Sequence, residues 1–89
     1  RDWDVCAMLD GTESENGAAF AVQNNRISIG DRVELLSPGK MPVDFTVEEL
    51  YDSDMQPLQA AIHPQMRFGI RLPCTAPEMS IIRKANKLI

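Results

Sequence analysis

Few residues of this chain are equipped for chemistry. His63 is the single histidine, Cys6 and Cys74 are the two cysteines, and acids gather at Glu48, Glu49, Asp52 and Asp54. Nucleophilic catalysis needs a base within hydrogen-bond reach of a thiol or hydroxyl. No local signature places His63, in "AAIHPQM", beside Cys6, Cys74, Ser28, Ser37, Ser53 or Ser80. Proline drives its predecessor out of helical φ/ψ, so His63-Pro64 reads as an extended or turn pair in a loop. A structural zinc wants four Cys or His ligands and an iron–sulfur cluster commonly four thiolates. Two Cys and one His, far apart in sequence, supply neither. Both cysteines stand among apolar or small residues and are expected as buried small side chains.

The acids and glycines pass the same screen. "DSDMQP" starts like a calcium loop, which needs Gly at its sixth position and Glu at its twelfth. Counted from Asp52, those positions hold Pro57 and His63, so calcium is rejected. Adjacent acids on a strand point to opposite faces, and this run reads as a solvated turn. Gly30-Asp31 and Pro38-Gly39 carry single glycines, with neither a G-x-G-x-x-G nor a Walker spacing. They read as turn punctuation, glycine for permissive φ/ψ and aspartate to accept turn amides. No catalytic residue, metal ligand or cofactor is assigned to the chain.

One arrangement survives. Arg67 and Arg71 lie four apart in "MRFGIRL", so on a strand both point the same way, separated by Gly69. Two guanidiniums flanking a side-chain-free spot suit a carboxylate or phosphate partner. Arg83 and Lys84 extend the same basic third. Residues 1–60 hold twelve acids and four bases, a balance of −8, while residues 61–89 hold one acid and five bases, +4. The net −4 argues against a stand-alone nucleic-acid binder, since phosphate neutralisation drives that affinity.

The elements that would position these residues are strands. "DVCAML" alternates with Val5, Ala7 and Leu9 on one face and Cys6 and Met8 on the other; "DGTESENG" turns, and "AAFAVQ" returns as a hairpin. In "RISIGDRVELL" Ile27 and Ile29 alternate, Gly30-Asp31 turns the chain, and Val33 and Leu35 alternate again. Pro42 marks an edge or strand start. Val43, Phe45 and Val47 face one way in "VDFTVEELYD", which favours a strand over the helix that Thr46 and Glu49 could cap. Phe68, Ile70 and Leu72 share a face. A short strand around Met79 to Ile82 follows, then a basic tail, 84–89, that is helical or frayed.

Eighty-nine residues with 44% apolar content make one small domain with a core. No apolar run approaches the ~18 residues of a membrane span, and two cysteines fit a reducing, cytoplasmic setting. The start "RDWDVCAMLDG" has neither a secretory pattern nor an initiator Met, which suggests a piece of a longer protein. Short strands with turns every eight to twelve residues point to an all-β fold: a small closed or partly open β-barrel of about six strands, core 4–83.

The order "QNNRISIGDRVELLSPG", "FTVEELYDSDMQPLQAAIHPQM" and "MSIIRK" resembles the C-terminal domain of the U-32 peptidase family. The matching positions are Asn25, Arg26, Gly30, Asp31, Glu34, Pro38, Gly39, Glu49, Leu50, Asp52, His63, Pro64, Gln65, Ile82 and Arg83. The chain departs from the pattern at Met55-Gln56, where the family often has glycine after its acidic residues, implying a different turn type. The resemblance implies a barrel like those of translation factors. It also implies a catalytic portion N-terminal to this domain, in collagenase-like peptidases or in relatives that hydroxylate RNA bases or quinone precursors with a cysteine-bound iron–sulfur cluster. Neither Cys6 nor Cys74 matches the cluster's cysteines. The implied role is a non-catalytic accessory barrel whose partners are its own catalytic domain and a peptide, collagen or tRNA substrate. Arg67, Gly69, Arg71, Arg83 and Lys84 are the contact candidates. The alternatives are an RNA-contacting barrel and a protein-interaction or oligomerisation barrel.

Overall fold

The structure, a computed structural model, describes residues 2–86; Lys87 and the rest of the expected tail lie outside the described residues. The described residues form ten strands. They are β1 (Asp2–Glu13), β2 (Ala19–Gln23), β3 (Ile27–Ser28), β4 (Arg32–Leu36), β5 (Val43–Thr46), β6 (Leu50–Tyr51), β7 (Pro57–Leu58), β8 (Ala60–Ala61), β9 (Arg67–Ile70) and β10 (Ile81–Asn86). Eight form one antiparallel sheet in the order β5-β4-β10-β1-β2-β9-β6-β7, curled as a half-barrel, and β3 pairs with β8 as a separate ribbon. The fold is all-β and partly open, with β5 and β7 at the edges. It has ten strands rather than about six because β7 and β8 are two residues each, too short for alternation to reveal, and the run read as one strand from Val43 splits into β5 and β6.

The concave side is the core. Register aligns Leu35, Ile82, Ala7 and Gln23 across β4, β10, β1 and β2. A second row joins Leu9, Ala21 and Phe68 across β1, β2 and β9. All seven are buried, and Val33, Phe45, Val47, Leu50 and Ile70 join them. Among them Ala7 and Leu9, Val33 and Leu35, Phe45 and Val47, and Phe68 and Ile70 are pairs that alternation sets on one face.

Four expectations are corrected. Val5 faces out and Cys6 faces in, because β1 carries a bulge: Val5 pairs Arg83 and Ala7 pairs Ile82, leaving Cys6 as the extra residue. Two asparagines hold the bulge. The Nδ2 groups of Asn24 and Asn25 donate to the Val5 carbonyl at 3.1 and 2.7 Å, and both backbone amides donate to the Cys6 carbonyl. Asn25→Ala is expected to cost about 1 kcal/mol, one net hydrogen bond, read from the urea midpoint.

Next, Ile27 and Ile29 do not continue one alternating strand into the Gly30-Asp31 turn, since β3 ends at Ser28 and pairs with β8 while β4 pairs with β10 and β5. The turn passes the chain from ribbon to sheet with Gly30 at φ 94°, a glycine conformation, and Ile29 is left exposed. The strand expected around Met79 to Ile82 is β10, and it runs on to Asn86, so the first tail residues, 84–86, are strand rather than helix or frayed end, because they pair with Asp4, Trp3 and Asp2 of β1. Finally, Cys74 is exposed, outside any strand, while Cys6 is buried and burial pushes its thiol pKa up. At the Met55-Gln56 departure, Met55 itself takes φ 64°, and the Asp52 carboxylate accepts the amides of Asp54 and Gln56. The turn thus adopts a left-handed conformation that glycine would favour.

Candidate interaction surface

The structure first disposes of the spot between Arg67 and Arg71. Register sets Phe20 of β2 directly opposite Gly69 on one side and Tyr51 of β6 on the other. A Cβ on Gly69 would stand 3.5 Å from Tyr51 Cβ and 3.6 Å from Phe20 Cε1. The site is roofed by aromatic neighbours, an arrangement that compensates a strand glycine. Gly69→Ala is therefore expected to be tolerated, neutral or stabilising by up to about 1 kcal/mol, because alanine loses less chain entropy and the gap admits a methyl. A drop in the thermal midpoint would contradict this geometry.

Each candidate cation has an acid of its own. Arg67 Nε donates to Asp10 Oδ2 at 2.8 Å, and its guanidinium lies 3.9 Å above the Phe20 ring. Arg71, just past β9, donates to the Asn16 carbonyl at 2.7 Å and sits 3.7 Å from Glu49, which also accepts from the Tyr51 hydroxyl. That bond to Glu49 holds the Tyr51 pKa above its usual value. Arg83 donates twice to Glu34 Oε1, at 2.8 and 2.6 Å, and stacks 3.9 Å over Trp3. Lys84 Nζ reaches Asp31 Oδ2 at 3.3 Å and the Arg26 carbonyl at 3.4 Å. The uneven charge of the sequence is thus largely consumed inside the fold, basic third against acidic remainder.

Asp10 shows the electrostatic consequence. Desolvation raises its carboxyl pKa, but hydrogen bonds from Arg67 and Thr12 outweigh that and leave it below its ordinary value. A carboxyl depressed in the fold contributes stability that is complete above its ordinary pKa and lost as pH falls through the lowered one. Arg67→Met is expected to flatten that acid limb, measured as urea midpoints across the carboxylate range. An unchanged limb would assign it to other carboxylates.

The family-motif residues divide. Asn25, Arg26, Gly30 and Asp31 gather near Lys84: Asp31 Oδ2 also accepts the Ser28 amide, and Arg26 Nε donates to Ser28 Oγ. Pro38 and Gly39 form a separate turn closed by Lys40 N to Ser37 O, with Gly39 at φ 72°. His63 and Pro64 lie in an exposed loop where the His63 carbonyl accepts the Met66 amide. Among the described residues no group of three His, Cys, Asp or Glu could hold a metal ion. A cleft of about 430 Å³ at one end of the sheet has Glu13 and Cys74 as its ionisable groups and no histidine or lysine in its lining.

What residue-by-residue reading missed is the convex face. Register aligns Leu36, Ile81, Met8, Val22 and Arg67 in one row across β4, β10, β1, β2 and β9. A neighbouring row joins Val5, Arg83, Glu34 and Asp44. Met8 is 41% exposed and Val5 37%, with Leu36, Ile81, Val22 and Trp3 half-buried. An apolar stripe therefore runs across the outside of the sheet between two arginine–aromatic stacks, Arg83 on Trp3 and Arg67 on Phe20. The outward apolar positions were visible in sequence, but their alignment depends on strand order.

The comparisons agree with this architecture. The model of the peptidase family U32 C-terminal domain matches residues 1–83. Two crystal structures of the C-terminal domain of a "putative U32 peptidase" from Geobacillus thermoleovorans are similar, each with a TM-score of 0.83 at 26% identity. The selenomethionine variant aligns over 91% of this chain and 99% of its own, and the other over 93% of each. No curated protein matches. With its half-barrel, its register and a family match over nearly its whole length, the chain belongs to the peptidase family U32 C-terminal domain family.

Proposed function

We propose that this domain is a non-catalytic accessory barrel of a U32-family enzyme, packing on the N-terminal catalytic portion and helping to position its substrate. The observation that carries the reading is the pairing of Arg67, Arg71, Arg83 and Lys84 with Asp10, Glu49, Glu34 and Asp31. Cations already engaged with carboxylates release few counterions on meeting a phosphate backbone. That weighs against the RNA-contacting alternative and in favour of a surface used through shape and apolar contact.

The test is a titration of the isolated domain against bulk tRNA and denatured collagen at low and moderate salt, with turnover followed in parallel. No turnover and no salt-sensitive tRNA binding are expected. Salt-sensitive tRNA binding lost in the Arg67→Glu/Arg71→Glu double variant would replace the reading with an RNA-positioning barrel. Collagen cleavage by the domain alone, abolished by one substitution, would overturn its non-catalytic character.

A further inference from the structure

We infer that the convex face of the sheet, centred on Met8 and running from Leu36 through Ile81 and Val22 to Arg67, is the surface on which the preceding domain of the same polypeptide docks. The inference rests on the accessory reading above and names its contact surface. Its composition is that of an interface centre: a methionine, aliphatic side chains, two arginines and the half-buried Trp3, with Phe20 buried beneath Arg67 and no lysine in the row. Both guanidiniums are held in place before any partner arrives, Arg67 by Asp10 and Arg83 by Glu34. They offer rigid, charge-satisfied planes and need no carboxylate from the other side.

Size and connectivity select the occupant. Four strand spacings across and a comparable length along β1 make a patch of about 400 Å². That falls short of the ~800 Å² per partner typical of free association. It fits the contact between domains of one chain, about 300–750 Å² per side. β1 lies in the middle of the face, and the polypeptide that precedes a C-terminal domain of this family enters at the start of β1, beside Trp3. A tether arriving at the rim supplies the effective concentration that a small patch lacks.

Methionine oxidation reads the surface directly, with its own controls. Met8 is 41% exposed on the face, whereas Met41 (83%) and Met79 (60%) lie in loops outside it. Peroxide oxidation of each would be followed by mass spectrometry in the 89-residue domain and in the full-length protein. In full-length protein Met8 oxidation should slow about tenfold, as it does when about nine-tenths of molecules are docked, while Met41 and Met79 stay unchanged. Met8→Glu should leave the isolated domain's thermal midpoint unaltered yet raise protease sensitivity of the full-length interdomain junction. Equal Met8 rates in both contexts overturn the inference; protection of Met41 or Met79 instead moves the contact elsewhere and leaves the accessory reading standing. Concentration-dependent protection of Met8 in the isolated domain would assign the face to a second copy and overturn it too. Full-length protein whose activity survives deletion of this domain would remove the accessory reading itself.

Discussion

Phe68→Ala is expected to cost about 3–5 kcal/mol, the range for deleting a fully buried phenylalanine and leaving a partly collapsed cavity. Phe68 is wholly buried on β9, opposite Ala21, which is in turn opposite Leu9. Alanine at position 21 makes this row the place where one large ring fills the space that small neighbours leave, so little else can move in. A domain of this length holds about 4–13 kcal/mol in all. The variant should therefore be marginal or unfolded at room temperature, by urea titration with far- and near-ultraviolet circular dichroism. Phe68→Leu, which keeps most of the volume, should recover more than half of the loss. A Phe68→Ala cost below about 1 kcal/mol would mean that the concave side is not the packed core.

The second large effect is expected at Arg83. Its pair with Glu34 is the least exposed among the described residues, with side chains 26% and 16% accessible, and its guanidinium also covers Trp3. Arg83→Met should cost about 2–3 kcal/mol, less than the 3–5 of a fully buried pair because solvent still screens it. The mechanism is specific: Glu34 lies directly opposite Asp44 in the register, and removing Arg83 leaves two carboxylates facing each other across β4 and β5. Adding Glu34→Leu should then restore most of the stability, since apolar replacement of both partners removes the unpaired charge. A double-mutant cycle in urea measures the coupling. A double variant no more stable than Arg83→Met would place the cost in lost Trp3 packing instead.

Both expectations turn on the difference between local pattern and long-range pairing. Val33 and Leu35, Phe45 and Val47, Phe68 and Ile70 point inward as their spacing requires, because side chains alternate along any strand whatever its neighbours. Family membership was equally legible, since turn residues such as Gly30 and Asp31 are fixed by local backbone demands. Val5 breaks the pattern because the bulge that turns it outward is held by Asn24 and Asn25, 19 and 20 residues away. The open spot at Gly69 fails for the same kind of reason: its roof is Phe20, from a strand that sequence spacing cannot align with it.

The sequence by itself determined the strand-rich class, the inward positions, the turn chemistry and the scarcity of reactive groups, all properties of residues and their near neighbours. Only the tertiary structure decided that β10 inserts between β1 and β4, and with that the fate of the charges. Arg67 meets Asp10 across 57 residues, Lys84 meets Asp31 across 53 and Arg83 meets Glu34 across 49. A charge surplus in one part of a chain says nothing about its partner until strand order brings opposite signs within a few ångströms, where Coulomb attraction and hydrogen bonding act. That folding converts a basic segment that looked available for phosphate into a set of internal clasps, and leaves the convex apolar stripe as the surface with contacts still to make.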